Sequence, residues 1–276
     1  DFFTSYSDVD SGTVTAGIFD VAVSGRGTIF GTRYNQNLAT LGNYQSKLIY
    51  GVDYKAYKSS LELFDVQLGN DITVHPVSLG YQGTWVRVDG DANIGLSLLH
   101  NIPGGAKGQQ RDFDLARAHA RDDYTALRFA ASITQSLPAA WQLRAALNGQ
   151  YTKDALVPGE QFGAGGAASV RGFREREVSN DSGVVGNLEA YTPPLCLGGS
   201  WQCRALAFYD AGYLTRNDAL PGEFEHISLS STGLGVRLIY RRNLNLQMDY
   251  GHALHAEASE TQRGDDRLHV RLSLAF

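Results

Sequence analysis

The sequence predicts an all-β protein, a transmembrane antiparallel β-barrel, on three observations. Apolar and polar residues alternate along most of the 276-residue chain, which is typical of strands with one face on lipid and the other on water. No stretch approaches about 18 consecutive apolar residues, which excludes a transmembrane helix but not a barrel. Short and long connectors alternate, as they do at the two ends of outer-membrane barrels.

The alternation is clearest near the end of the chain. The last segment has its apolar positions at Val270, Leu272, Leu274 and Phe276, and its other positions at His269, Arg271, Ser273 and Ala275. Polar residues that face inward need a wet lumen rather than a packed core, which argues against a soluble barrel. We expect a hydrated path lined by such residues, among them Arg144, Gln150, Asn245 and Gln247.

About thirteen strands are expected. They lie near 1–8, 12–23, 27–39, 43–57, 72–88, 91–101, 122–136, 140–153, 182–192, 201–214, 226–240, 242–254 and 266–276. The connectors near 40–42, 89–90, 137–139 and 241 are short, and those near 58–71, 102–121, 154–181, 215–225 and 255–265 are long and polar. Short connectors are typical of the periplasmic end. Two connectors depart from this rule, a short one at 24–26 on the extracellular side and a longer one at 193–200 on the periplasmic side.

Composition narrows the class further. The net charge is -5, with 24 basic and 29 acidic residues and no basic stripe, so nucleic acid is not an expected partner. Cys196 and Cys203 lie in one short connector, which favours a disulfide in an oxidising compartment over free thiols. Zinc is the weaker alternative because no His is near in sequence. The chain begins at Asp1 without Met, as a piece of a longer precursor would.

Two short motifs carry the functional prediction. Val170-Arg171-Gly172-Phe173 places one arginine in the glycine-rich connector 154–181, and Phe208-Tyr-Asp-Ala-Gly212 lies in a predicted strand. Alternation puts Phe208, Asp210 and Gly212 on the inner face, where Asp210 can receive the guanidinium of Arg171 if the connector folds into the lumen. Glu189 is a candidate second acceptor or a plain lumenal carboxylate. The alternative for Arg171 is a solvated loop arginine.

The two motifs together resemble the Omp85 superfamily of outer-membrane β-barrels, and within it the TpsB, or haemolysin secretion/activation, transporters of two-partner (type V) secretion. The segment Thr152–Phe162 before the first motif favours this branch. The resemblance implies about sixteen strands in the whole protein, an even number, with roughly three strands, a plug helix, POTRA domains and a signal peptide before Asp1. Residues 1–276 would then be the C-terminal barrel, and 154–181 its lumenal loop.

The resemblance implies a protein of the Gram-negative outer membrane that secretes a large TpsA-type exoprotein, such as an adhesin, cytolysin or contact-dependent toxin. Further expected partners are outer-membrane lipid and lipopolysaccharide, the barrel-assembly machinery and periplasmic chaperones. Terminal Phe276 resembles the signal read by that machinery, and a lipid-facing girdle aromatic fits it equally well.

Three other functions are alternatives to secretion. An Omp85-type assembly factor shares the first motif and the fold, whereas the second motif speaks against a passive porin. A barrel enzyme finds little support, because the seven His are scattered and no G-x-S-x-G motif is present. The acidic group Asp112, Asp114, Asp122 and Asp123 with His119 lies in a polar loop, where solvated charges are the ordinary case. No cofactor and no metal are expected.

Overall fold

The computed structural model describes residues 1–16, 19–58, 62–63, 66–67, 71–196, 199–241 and 243–275. The strands are β1 (Phe2–Ala16), β2 (Phe19–Asn37), β3 (Tyr44–Lys58), β4 (Glu62–Leu63), β5 (Val66–Gln67), β6 (Ile72–Val74), β7 (Pro76–Arg87), β8 (Gly90–Asn101), β9 (Thr125–Ser136), β10 (Gln142–Thr152), β11 (Phe162–Ala164), β12 (Val178–Asn180), β13 (Ser182–Tyr191), β14 (Trp201–Thr215), β15 (His226–Tyr240), β16 (Leu244–Ala256) and β17 (Asp266–Leu274). Helix α1 spans Gln110–Ala116, and short 3-10 turns lie at Pro138–Ala140 and Pro158–Glu160.

One 13-stranded antiparallel sheet contains all the long strands. Its continuous path is β1-β2-β3-β7-β8-β9-β10-β13-β14-β15-β16-β17, and β6 pairs with β3 beside that path. Two small hairpins, β4 with β5 and β11 with β12, lie in the connectors. The predicted fold class and the strand total are thereby confirmed. No helix among the described residues is long and apolar enough to cross a membrane.

The sheet has one apolar face and one polar face, because side chains of successive residues point to opposite sides. On β14, Tyr209 and Tyr213 are 45% and 47% exposed, whereas Phe208 and Asp210 are 3% and 0% exposed. On β17, Leu268, Val270 and Leu272 are likewise exposed. We call the side that carries Asp210 the inner face and the side that carries Tyr209 the outer face.

The connectors sort by length to opposite ends of the sheet. Residues 38–43, 88–89, 137–141, 192–200 and 241–243 join strands at one end, which we call the short-turn end. Residues 59–75, 102–124, 153–181, 216–225 and 257–265 join them at the other, the long-connector end. The expected separation of short and long connectors therefore holds for these ten segments.

The short connector expected at 24–26 is wrong. Strand β2 runs unbroken through it, with Gly25 paired to Val9 and Gly27 paired to Ser7 of β1. Glycines favour turns, but backbone groups here gain ladder hydrogen bonds from a neighbouring strand, and that outweighs the local preference. Residues 12–16 belong to β1 with the segment 1–8, and residues 19–23 belong to β2 with 27–37. Three expected strands are therefore two, and β6 restores the total.

Two buried clusters lie under the long connectors. One joins Phe113 of α1 to Ile29, Tyr57, Ile72, Val74, Ala120, Tyr124, Leu156 and Val157. The other joins Val170 and Phe173 to Ala164, Val178, Val185, Leu214, Ile227, Leu229 and Ala253. The sequence predicts no helix in 102–121, yet α1 forms there, with the Asp112 carboxylate accepting a hydrogen bond from the Gln109 N–H at 3.2 Å at its start. These clusters fix both connectors on the sheet.

Candidate functional site

The connector 153–181 returns over the inner face instead of extending away from it. The hairpin β11–β12 forms its base, and Val170 and Phe173 near its tip are fully buried. Gly165, Gly166 and Gly172 have φ values of +109°, +101° and +94°, which L side chains rarely adopt. Glycine at these positions lets the tip bend sharply against the sheet. Gly212 of β14 leaves the space that Val170 occupies, since a Cβ there would lie 3.3 Å from Val170 Cγ2.

Arg171 is held by Asp210 through both ends of its guanidinium. Nε donates to Asp210 Oδ2 at 2.7 Å and Nη2 donates to Oδ1 at 2.8 Å. The backbone N–H of Arg171 also donates to Oδ2, at 3.1 Å. Both side chains are almost fully buried, at 4% and 0% exposure. Such a paired, planar arrangement fixes direction as well as distance.

Further groups complete the surroundings of Arg171. Glu189 Oε1 accepts from Nη1 at 2.8 Å, and Asp249 Oδ1 lies 3.5 Å from the same nitrogen. The guanidinium carbon lies 3.6 Å from the centre of the Phe208 ring, which places a cation over an aromatic face. Burial opposes the charged form, but Asp210, Glu189 and Asp249 outweigh it and raise the pKa of Arg171. The cation is therefore permanent.

The acceptors are themselves held in place by neighbouring side chains. The Asn187 amide donates to Asp210 Oδ1 at 2.7 Å and also to the Ser169 carbonyl of the connector at 2.7 Å. Glu189 Oε2 accepts from Arg144 at 3.0 Å and from the Tyr191 hydroxyl at 2.9 Å. Each carboxylate thus has little freedom to turn away from Arg171.

A row of small residues forms the floor beneath the arginine. Strand register aligns Phe208 with Gly233, and Gly233 with Gly251. The Phe208 ring lies over Gly233, and the Gly172 backbone lies on Gly251. The Gly172 N–H donates to His269 Nε2 at 3.0 Å, so that nitrogen carries a lone pair. The floor therefore accepts the connector backbone as well as the arginine side chain.

Glu160 forms a second buried centre that sequence reasoning missed. It accepts from Lys55 Nζ at 2.7 Å, from the Tyr57 hydroxyl at 2.6 Å and from Arg128 Nη2 at 3.1 Å. Burial opposes its charge, but Lys55 and Arg128 outweigh that effect and lower the pKa of Glu160 to about 2. A pair of strand cations with a connector carboxylate anchors the base of the connector, as Arg171 anchors its tip.

A third centre joins three connectors at the long-connector end. Arg117, just after α1, forms a two-point ion pair with the fully buried Asp181, with Nη2 at 2.9 Å from Oδ2. Arg117 also donates to the Leu156 carbonyl at 2.7 Å and to the Asn217 carbonyl at 2.8 Å. The connectors 102–124, 153–181 and 216–225 are thereby tied together at one point. Neither residue stands out in the sequence, because a loop arginine is usually solvated.

The remaining predictions have mixed outcomes. The disulfide between Cys196 and Cys203 is present, with the Cα atoms 5.2 Å apart. The expectation that Gln150 lines the hydrated path is wrong. Gln150 is 3% exposed and donates to the carbonyls of Glu160 and Asp181, both at 2.9 Å, so the connector covers it. Phe276 lies outside the described residues.

The fold and this site define a class of protein, an outer-membrane β-barrel with a long connector held on the inner wall by a buried arginine. The sequence profile of one family, described as haemolysin secretion/activation protein ShlB/FhaC/HecB, matches residues 1–238. The chain belongs to this family. Its members are Gram-negative outer-membrane proteins of secretion and not enzymes, so the predicted location and class are confirmed.

Solved structures share the fold. CdiB from Escherichia coli has a TM-score of 0.76 at 19% identity, covering 100% of this chain and 50% of that one. CdiB from Acinetobacter baumannii has a TM-score of 0.64 at 18% identity, covering 93% and 43%. BamA from Haemophilus ducreyi lacking POTRA domains 1-3 has 0.62 at 13%, covering 95% and 57%. The chain thus spans about half the length of these structures. A sequence comparison with curated proteins finds no match.

Proposed function

We propose that this chain is the barrel of a two-partner secretion transporter, which passes a large TpsA-type exoprotein, an adhesin, cytolysin or contact-dependent toxin, across the outer membrane. Membership of a secretion family supports the class of function. The observation that carries the proposal is the buried pair of Arg171 with Asp210, because it holds a long connector on the inner wall, in the path that a transported chain would take. The connector 154–181 acts as a lumenal loop.

The pair positions the loop and does not hold the wall together. The wall keeps its ladder hydrogen bonds without it, since β13, β14 and β15 pair over their whole lengths. Removing one partner leaves the other buried without its counter-charge, which costs about 3–5 kcal/mol. That cost falls on the loop, which can leave the wall. We expect loss of transport with retention of the barrel.

The test compares secretion by full-length protein carrying Arg171→Ala or Asp210→Ala with secretion by the unchanged protein. Arg174→Ala is the matched control, since Arg174 lies in the same connector but is 58% exposed and pairs with an exposed Glu260. Both site variants should lose most exoprotein secretion at equal surface abundance, and the control should keep it. Normal secretion by both site variants would refute the proposal.

The same strains separate a transporter from an assembly factor. An assembly factor that fails lowers the amounts of other outer-membrane proteins, whereas a failed exoprotein transporter leaves them unchanged. We expect unchanged levels of those proteins in the Arg171→Ala strain. A general fall would assign the chain to barrel assembly instead.

A further inference from the structure

A row of arginines crosses the inner face between the Arg171 centre and the short turns. Strand register aligns Arg204 of β14 with Arg237 of β15, Arg237 with Gln247 of β16, and Gln247 with Arg271 of β17. Adjacent strands are about 4.8 Å apart, so the row is roughly 14 Å long. We call Arg204, Arg237 and Arg271 the arginine row.

Among the residues that the structure describes, the row has fewer carboxylates than arginines. Arg237 pairs with Asp249 at 2.9 Å, and Asp249 also faces Arg171. Arg204 donates to the neutral Gln142 amide oxygen at 3.2 Å. Within the described residues, no carboxylate lies within 4.0 Å of Arg204 or Arg271. Like charges on directly opposite positions destabilise a sheet, so the row is not explained by stability.

Two members of the row, Arg237 and Arg271, face a cavity of about 600 Å³, and Arg204 lies beside Arg237 in the strand register. Four arginines, Arg144, Arg171, Arg237 and Arg271, line this cavity against the carboxylates of Glu189 and Asp249. Asp210 also pairs with Arg171, so four cations meet three carboxylates here. The local excess of positive charge is opposite in sign to the net charge of the chain, -5. A cleft with low-dielectric walls and one sign of charge concentrates ligands of the other sign.

We propose that the arginine row binds the carboxylates of an acidic, extended segment of the transported polypeptide. The inference rests on the proposed function and deepens it. A row of roughly 14 Å matches about four residues of extended chain. Guanidinium groups bind carboxylates in two-point geometry, and Asn148 and Gln247 in the same cavity offer amides to a peptide backbone. Segments rich in Asp and Glu are thus retained at this level of the barrel, next to the Arg171 centre.

The test measures binding of a fluorescent peptide of alternating Glu and Ser to the full-length protein in detergent, by anisotropy. A peptide of alternating Gln and Ser is the neutral probe. The double variant Arg204→Gln with Arg271→Gln leaves Arg237 and its partner Asp249 in place. Arg263→Gln is the matched control, since Arg263 is exposed in the connector 257–265 at the other end. The heat-dependent shift of the barrel band in gels checks folding.

We expect the unchanged protein to prefer the acidic peptide, and the double variant to bind it about tenfold more weakly. The control should bind it as the unchanged protein does. The proposal is overturned if the two peptides bind equally, if the double variant keeps its affinity, or if the control loses as much. Citrate at equal carboxylate concentration should displace the peptide poorly, and full displacement would assign the row to small anions instead.

The binding assay and the secretion assay fail independently. Peptide binding requires only the row, whereas secretion by Arg171→Ala tests the transporter itself. If Arg171→Ala loses secretion but the unchanged protein shows no preference for the acidic peptide, only the proposed role of the arginine row is refuted. The opposite result is a preference for the acidic peptide with normal secretion by both Arg171→Ala and Asp210→Ala. That result would refute the proposed function, and the acidic ligand would then not be a transported polypeptide.

Discussion

The backbone of Gly172 lies directly on the backbone of Gly251. A Cβ built on Gly251 would lie 2.6 Å from Gly172 N and 2.9 Å from the Arg171 carbonyl carbon. Real Cβ atoms do not approach backbone so closely, and neither partner is the end of a flexible side chain. The connector therefore contacts the wall at Gly251, where the hydrogen of a glycine fits and a methyl group does not. Gly251 lies two residues after Asp249 and is paired with Gly233 of β15.

We predict that Gly251→Ala displaces the connector tip while the barrel still forms. The new methyl pushes the Gly172 backbone outward, which lengthens the hydrogen bonds of Arg171 with Asp210 and of Gly172 with His269. Secretion should fall to nearly the level of Arg171→Ala. Secreted exoprotein at equal surface abundance is the measurement.

Gly186→Ala is the control for that change. Gly186 also lies mid-strand, but its nearest neighbours would be 4.0 Å from an added Cβ, so the same substitution has room there. It should leave secretion close to normal. Equal secretion by Gly251→Ala and Gly186→Ala would show that the Gly172 contact does not position the loop.

Arg117→Ala should loosen the long-connector end. Asp181 is fully buried and would lose its cation, which costs about 3–5 kcal/mol, although the N–H groups of Leu156 and Asn217 still donate to it at 2.8 Å and 2.7 Å. We expect faster proteolysis within 102–124 and 153–181 in the detergent-solubilised protein, with the barrel band unchanged. Arg121→Ala is the control, because Arg121 is 56% exposed and pairs with an exposed Asp123. Similar cleavage rates in both variants would contradict the claim that the ion pair of Arg117 with Asp181 holds the connectors together.

Deleting residues 163–175 should open the path through the barrel. The deletion removes Arg171 and the connector tip, which together occupy the inner face beside β13, β14 and β16. Single-channel conductance in planar bilayers should rise, yet secretion should fall, because the loop both obstructs the path and organises it. If the chain were a passive porin, the deletion would remove a constriction and the flux of solute would rise. Unchanged conductance would mean that the loop lies outside the path.

Acid should weaken the anchor at Glu160 only at low pH. Its pKa is lowered from an ordinary value near 4.5 to about 2, so its charge stabilises the fold fully above about pH 4.5. That contribution declines as the pH falls from about 4.5 towards 2. We expect Glu160→Gln to melt below the unchanged protein at neutral pH, with the difference vanishing in this acid range.

Glu260→Gln serves as the control in the same melts. Glu260 is 71% exposed, and a solvated ion pair contributes little to stability. Its melting temperature should follow that of the unchanged protein at every pH. A difference for Glu160→Gln that persists below about pH 2 would show that its carboxylate charge is not what anchors the connector.

Strand alternation predicts much of the barrel and part of the site. The inner position of Asp210 follows from its register with Phe208 in a strand of period two. The single arginine in the glycine-rich part of the connector, Arg171, indicates the partner of Asp210. The contacts of Glu160 and Arg117 do not follow, because they join residues far apart in sequence through loops that have no period. The connector expected at 24–26 is absent because ladder pairing depends on a neighbouring strand, which a local sequence pattern does not reveal.

The bond between Cys196, in the connector 192–200, and Cys203 of β14 lies in the link between the two strands that hold the acceptors of Arg171. Asn187 and Glu189 lie on β13, and Asp210 lies on β14, directly paired with Asn187. A slip of one residue between these strands would turn Asp210 towards lipid and Tyr209 towards the lumen. The bond closes a short loop next to the last pair of this ladder, Tyr191 with Leu206, and so restrains the chain that connects the two strands. The oxidised protein therefore has a shorter free length of chain between the two strands that carry the acceptors of Arg171.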